Sequence, residues 1–477
     1  MSLKRILMAA AAAAMALSMA LPALAQTVSD ATFVNGLVLP GNALDLSTGS
    51  NFDRRIGYFS DIYYDRARNE WWGLSDRGPG GGTLPYETRV QRFTLDVDAN
   101  TGAISNFRVV QTVKFSDGGV AFNGLAPTPP GVLGRSFDPE GFVVNPVNGN
   151  LLVSDEYGPS LKEFDRSGNL VRSYTAPANL VPQVSGTVDY IAAPPTLTRG
   201  REPNRGLEAL AISPDGRYAY AVLQNGTVQD GWTASSRGSY SRIIKYDTLT
   251  GQAVGQYAYK LESSAQGRGI SALVALGNDK FMILERNNRG IGVGATLASA
   301  DKNVFMIDLA GATDVTGVNL PATGTLAGAV TKGAKLIDLD ADTLPALGNK
   351  SPEKWEGLAI GPQLASGKYL VLAGTDNDYS VTQNGTGTQF DVYFRFSDAD
   401  PYAGSIQCPA GQTVNCFLTA SNTTAATLTA DYQLLPGVLH AYTATVDGYV
   451  TPVPEPQAYL LMLTGLLAVG AAARRRD

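Results

Sequence analysis

The chain contains one histidine, His440, and that scarcity removes several chemistries at once. One imidazole cannot build a multi-histidine metal centre or run a histidine acid phosphatase, and a Ser-His-Asp hydrolase would have to use His440 alone. No Gly-x-Ser-x-Gly elbow, P-loop or dinucleotide-binding glycine fingerprint offers another route. Cysteine is nearly absent too. Cys408 and Cys416 stand either side of Pro-Ala-Gly-Gln-Thr-Val-Asn, and so close a pair in an exported chain predicts a local disulfide rather than a metal or redox centre. Charged residues make up only 17%, and a net charge of −6 with a pI near 5.1 leaves no basic face for nucleic-acid phosphates.

Long apolar runs are confined to the two ends. Residues 1–25 carry Lys4 and Arg5, an Ala/Leu/Met run and Ala23-Leu24-Ala25, the layout of a secretory signal with a small-residue cleavage site. At the other end Val453-Pro454-Glu455-Pro456 precedes an apolar run from Ala458 to Ala473 and then Arg474-Arg475-Arg476. The segment 452–477 resembles the PEP-CTERM sorting signal of Gram-negative bacteria. That resemblance implies processing by an exosortase-type partner, transient membrane association through the tail, and delivery to the cell envelope, the outer surface or the medium. The apolar run is marginal for a permanent span, and the arginines hold the terminus on the cytoplasmic side.

What is plentiful between these ends is turn chemistry, with 52 Gly and 26 Pro, and it is periodic. Asp138-Pro139-Glu140-Gly141-Phe142-Val143-Val144 leads through Asn148-Gly149-Asn150 into Leu151-Leu152-Val153-Ser154-Asp155-Glu156. Arg205-Gly206-Leu207-Glu208 and Lys354-Trp355-Glu356-Gly357 open two further copies, and weaker ones begin at Ser60 and Gly269. Each copy reads as a strand, a tight turn and a second strand. A second hairpin recurs after it, as in Arg242–Asp247 and Asn303–Asp308. The repeated unit is therefore a four-stranded meander, and the fold class is all-β, a β-propeller of antiparallel blades over 26–450. Five copies are readable. A sixth blade is expected from Thr32–Leu39 pairing with Leu439–Val446, within a range of five to seven, so that the chain termini close the ring. The excess length falls in loops 177–204, 229–239 and 287–302, and 398–430 reads as an inserted loop holding the cysteine pair. Trp71, Trp72 and Trp355, with Tyr63, Tyr64, Tyr157 and Tyr379, are expected to pack between blades.

Glu140, Glu208 and Glu356 occupy the same place in their repeats and should converge at one end of a central channel. Such carboxylates form either a hard-cation site, calcium being the natural guest, or locks between blades, with Arg135, Arg205, Arg268 and Lys354 as ready partners. As a site, Glu140, Glu208 and Glu356 are the candidate catalytic and metal-binding groups, with Asp155, Glu156 and Asp376 as further ligands. Arg77, Arg205, Arg268 and Arg286 are then candidates for binding phosphate oxygens. Asp155, Glu156, Glu285, Asp376 and Asp378 read equally as residues that end strands.

The segments Phe137–Tyr157, Arg205–Val222, Gly269–Asn288 and Trp355–Asp378 resemble the phytase-like family, also named for an esterase-like activity of phytase. The resemblance implies a propeller with phosphoester or ester hydrolase activity and supplies no agreed set of catalytic residues. The expected function is a calcium-dependent hydrolase of a small phosphoester or ester. The alternative is a non-catalytic propeller binding exopolysaccharide or an envelope partner.

Overall fold

The computed structural model describes residues 26–233, 236–265, 267–384 and 387–452; the expected export signal over 1–25 and nearly all of the expected sorting tail lie outside them. Among the described residues there is no α-helix, only three short 3-10 turns.

Five four-stranded antiparallel sheets make up the body. Sheet 1 contains Asp61–Asp65, Glu70–Leu74, Arg89–Val97 and Ile104–Lys114, and sheet 2 contains Pro139–Val144, Leu151–Asp155, Leu161–Phe164 and Leu170–Ser173. Sheet 3 contains Leu207–Ile212, Tyr218–Leu223, Tyr240–Asp247 and Gln252–Lys260. Sheet 4 contains Gly269–Gly277, Lys280–Arg286, Lys302–Asp308 and Thr331–Asp338. In each the chain meanders outward from first strand to fourth. The turn of sheet 4 shows why. Gly277 pairs with Lys280 across Asn278 and Asp279, both in the left-handed region at φ 48° and 57°, the two-residue hairpin whose twist matches its strands.

Sheet 5 is assembled from both ends of the chain. Trp355–Gln363 and Tyr369–Thr375 supply two strands, Gly437–Asp447 the third, and Thr27–Leu39 the fourth. The expected pairing of the termini is present, with Leu37 opposite Leu439 and Val28 opposite Val446. It does not start a sixth sheet. After Thr375 the chain leaves for the segment 378–434, so the third repeat contributes only two strands, and the terminal strands fill the two empty places. That departing segment is a folded unit, with six short strands from Val381–Asn384 to Gln433–Leu434 rather than a plain loop, and Cys408 and Cys416 are disulfide-bonded within it.

The sheets are held together by apolar layers lying between them. Trp72, Phe142 and Val153 fill the interface of sheets 1 and 2, and Val143, Leu210 and Ile244 that of sheets 2 and 3. Ala209, Ile243 and Ile283 fill the interface of sheets 3 and 4, Leu284, Trp355 and Val371 that of sheets 4 and 5, and Trp71, Leu370 and Ala441 that of sheets 5 and 1. Burying one such side chain contributes about 1.5–3 kcal/mol, so the inter-sheet layers are the main source of stability. Trp72 and Trp355 are fully buried, Trp71 nearly so, as expected of packing aromatics. The first strands also touch in sequence, sheet 1 to 2, 2 to 3, 3 to 4, 4 to 5 and 5 to 1. The architecture is propeller-like.

Candidate functional site

The ladder between the first two strands breaks at one recurrent place. In sheet 2 the register shifts between Pro139 and Phe142, in sheet 3 between Leu207 and Ala209, in sheet 4 between Ile270 and Ala272, and in sheet 5 between Trp355 and Gly357. The residues inside these bulges include Glu140, Glu208, Ser271 and Glu356. A bulge releases a residue from pairing and re-aims its side chain. The repeat thus does more than place the three glutamates at equivalent positions.

The glutamates share one electrostatic environment. Burial pushes the Glu140 carboxyl well above the usual carboxylate range, and Glu208, Asp138, Glu156 and Glu356 push it further. Glu208 is raised by burial and then by Glu156 and Glu356. Its Oε1 accepts a hydrogen bond of 2.7 Å from Gln224 Nε2. Arg286 ion-pairs with Glu356 and lies 4.0 Å from Glu208. Glu140 differs from both: it is buried, and among the described residues it has neither a hydrogen bond nor an ion pair.

Beside it stand two acids. One oxygen each from Asp138, Glu140 and Glu156 lie within 4.8 Å of one another. Calcium–oxygen distances of about 2.3–2.6 Å allow ligand oxygens up to about 5 Å apart, so this set fits a hard divalent cation. Asp138 and Glu156 are positioned by sheets 1 to 3 together. Arg77 ion-pairs with Asp138 and lies 3.8 Å from Glu156, and the Gly206 N–H donates to Glu156 Oε1 at 3.0 Å. Burial outweighs the Arg77 charge, and the Asp138 carboxyl is raised to about 7. Asp138 is the residue that sequence reasoning missed. The signal was present in Asp-Pro-Glu, since residues two apart on a strand point to the same side.

The partners expected for blade locks are occupied elsewhere. Arg135 pairs with Asp117 at 2.7 Å, Arg268 with Asp301 and, at 3.5 Å, with Glu285, and Lys354 with Asp376 at 2.8 Å and Asp378 at 2.6 Å. Arg205 donates to Gln224, itself the partner of Glu208, and has no carboxylate within salt-bridge distance among the described residues. Among the described residues no local Arg-to-Glu lock forms at Glu140, Glu208 or Glu356; Arg286 instead pairs across sheets, closely with Glu356 and at 4.0 Å with Glu208. Two predicted ligands are likewise spoken for. Asp155 binds Lys162 at 2.7 Å and accepts from the N–H groups of Asp138 and Tyr157, and Asp376 is held by Lys354. Arg268 faces acids of its own neighbourhood rather than the Glu140 group.

Below the carboxylates the axis is mostly apolar and almost filled, the exception being the buried Asp61 carboxylate, which accepts from the Phe142 N–H. A cavity of about 40 Å³ is lined by Ile62, Phe142, Leu210, Leu273 and Leu358, one from the first strand of each sheet, and Tyr449 and Pro452 also line it. The carboxylates stand where the first strands begin, and this lining lies further along them.

The phytase-like family, described as "Esterase-like activity of phytase", matches residues 54–379. A protein of Arthroderma benhamiae described as an uncharacterized secreted protein is 26% identical over 468 aligned residues, taking in 76% of this chain and 90% of the relative. Among solved structures, Kuenenia stuttgartiensis hydrazine synthase aligns at 14% identity and a TM-score of 0.26, covering 67% of this chain and 77% of its own. A protein of unknown function from Bacteroides caccae aligns at 12% and 0.25, covering 62% and 64%.

Proposed function

The chain belongs to the phytase-like family, and on that footing we propose that it is an exported five-bladed β-propeller that hydrolyses phosphoesters with a divalent cation, calcium foremost, at the Asp138–Glu140–Glu156 cluster. The observation that carries the reading is Glu140. A buried carboxylate with no partner, pressed by four other acids, is costly unless something cationic joins it. Arg205 supports it as a buried guanidinium that feels Glu156 and Glu208 but has no carboxylate within salt-bridge distance among the described residues, and so can turn to a phosphoryl oxygen.

Asp138, Glu140 and Glu156 would hold the cation, which when bound supplies neutralising charge and a more acidic water. The chain's own residues do the rest. Arg205 binds and orients the phosphoryl group, with Arg286 and Arg77 fixing the acids around it. Glu208, kept protonated by burial and anchored through Gln224, supplies a proton to the departing oxygen. The apolar axis below keeps the reaction at one end of the ring. The terminal strands, paired with each other and with Tyr369–Thr375, complete sheet 5 to four strands, in keeping with a ring closed through that blade.

Export is in keeping with the secreted relative and the disulfide. We read the segment 453–477 as the element that retains the chain at a Gram-negative envelope until an exosortase-type partner acts on it.

The test is calorimetric titration of the full chain with calcium, alongside turnover of p-nitrophenyl phosphate with and without chelator. Micromolar binding and chelator-sensitive turnover, both lost in Glu140→Gln, are expected. Because the cation-free parent must keep on Glu140 a proton that the unfolded chain has released, the variant should also unfold at a higher temperature than that parent near neutral pH. A heat-silent titration without turnover would leave a binding propeller, directed at an exopolysaccharide or an envelope partner, as the better account.

A further inference from the structure

At the opposite end of the sheets, where sheets 3 and 4 meet, lies a cavity of about 410 Å³ that the carboxylate site does not use. Its walls come from the first hairpin turn of sheet 3, through Ser213, Asp215 and Tyr218, and from Tyr220 and Lys245 deeper in that sheet. The turn of sheet 4 contributes Asn278 and Asp279, followed by Phe281. The volume falls within the roughly 300–1,000 Å³ of small-molecule sites.

Its chemistry is specific. Tyr220 donates its phenolic hydrogen to Asp279, and Lys245 Nζ lies 3.4 Å from the same carboxylate. The Lys245 ammonium also stands 4.3 Å from the Tyr218 ring centroid and 5.2 Å from that of Tyr220. Lys280 is held by Asp308 at 3.4 Å, and Asp215 by the Ser213 hydroxyl and the Arg217 N–H. Each lysine of the pocket thus has an aspartate, and Asp215 is held by neutral donors, so no charge in the cavity is left without a partner. What remains is the partly exposed Tyr218 ring, with Arg217 5.5 Å from its centroid, the buried Phe281 behind it, and a set of fixed donors and acceptors.

That combination selects among ligand classes. An anion would have to strip Lys245 or Lys280 from its aspartate. A hard cation would need converging carboxylates, and among the described residues only the distant Asp138 group has that geometry. A purely apolar guest would strand the Lys245–Asp279 pair away from water. A neutral sugar ring meets both requirements, since its C–H face lies on an aromatic ring while its hydroxyls bond to carboxylate, ammonium and main-chain groups. We propose that the pocket bounded by Tyr218, Tyr220, Lys245 and Asp279 is a binding site for a neutral pyranose oligosaccharide, separate from the carboxylate cluster.

The experiment is calorimetric titration of the full chain with maltohexaose, cellohexaose and laminarihexaose in turn. Saturable binding of at least one is expected, weakened by about tenfold or more in Tyr218→Ala and in Lys245→Ala, and retained in Tyr218→Phe, which keeps the ring. Glu140→Gln should bind the sugar as the parent does, which separates this site from the hydrolytic one. Thermal unfolding of each variant identifies any that fails to fold, and Tyr218, being partly exposed, is the safe position. Absence of binding to all three sugars, or equal binding by folded Tyr218→Ala, overturns the proposal.

Discussion

Arg286, at the end of the second strand of sheet 4, reaches across the sheet interface to Glu356, at the start of the first strand of sheet 5. Both are buried, and the same guanidinium lies 4.0 Å from Glu208 of sheet 3. One cation therefore ties three successive sheets at the axis. Removing it strands an acid where water does not reach, so Arg286→Met should lose about 3–5 kcal/mol in urea unfolding. The double variant Arg286→Met/Glu356→Leu should recover most of that, because an apolar pair of similar size replaces a desolvated ionic one. Equal losses in both would mean that Glu356 is not what Arg286 neutralises.

Gly206 fixes the geometry of the Asp138–Glu140–Glu156 carboxylate cluster through its lack of a side chain. A Cβ there would stand 2.3 Å from the Glu156 carbonyl oxygen, while the Gly206 N–H holds the Glu156 carboxylate. The neighbour is main chain and cannot swing aside. Gly206→Ala should lose about 1–3 kcal/mol as an overpacked position and, in the folded fraction, weaken calcium affinity by at least about tenfold. Normal affinity in the variant would take Glu156 out of the cluster.

The repeat was legible because two-residue periodicity and turn residues are local properties, and the Glu at each strand start could be aligned by eye. The pairing of Thr32–Leu39 with Leu439–Val446 was legible for the same reason. Its destination was not. Whether those strands found a new sheet or complete the one begun at Trp355 depends on where residues 378–434 go, and no local pattern encodes that. The acids were found but not their partners. Arg135 and Lys354 stand shortly before Glu140 and Glu356 in sequence, and Arg268 before a copy with Ser271 in the glutamate's place, yet the cations meet Asp117, Asp376 and Asp301 instead, partners that lie elsewhere in the chain. Asp138 went unnoticed because it has no counterpart in the other copies.

The charge balance at the site limits what it can take. Asp76, Asp138, Glu140, Glu156, Glu208, Glu356 and Asp376 face Arg77, Arg205, Arg286 and Lys354, and of these cations only Arg205 lacks a carboxylate partner. Arg201, the other buried guanidinium near these acids without a salt bridge among the described residues, donates to the Tyr157 and Tyr190 carbonyl oxygens, which leaves Arg205 for one phosphoryl group. Further phosphates on the same substrate would meet acids, and like charges brought together cost several kcal/mol. The specificity constant for p-nitrophenyl phosphate should exceed that for myo-inositol hexakisphosphate by at least about tenfold in calcium-saturated assays. A preference for the hexakisphosphate would show that the acids around Arg205 are neutralised by more than one cation.

His440 tests the packing between sheets 4 and 5 by titration. It lies in the third strand of sheet 5 with its ring 4.6 Å from that of Trp355 and 4.9 Å from that of Phe33, and its Nε2 has no hydrogen-bond partner. Burial pushes its pKa down to about 3. In the unfolded chain it titrates near 6.5, so between pH 6.5 and about 3 the unfolded state binds the extra proton. Stability from this group must therefore fall as the pH falls, at up to about 1.4 kcal/mol per pH unit. Asp376, raised to about 7 by burial, works in the opposite sense, keeping a proton in the folded state that the unfolded chain has released, and so loses stability as the pH rises from about 4 to 7. The two are separated by subtracting the urea stability of His440→Leu from that of the parent at each pH. The difference should be flat above pH 7 and turn against the parent below 6.5. As the chain has only this histidine, its imidazole proton resonances can be followed directly, and they should not shift between pH 8 and 5. A titration centred near 6.5 would mean that water reaches the ring and that the layer around Trp355 is open.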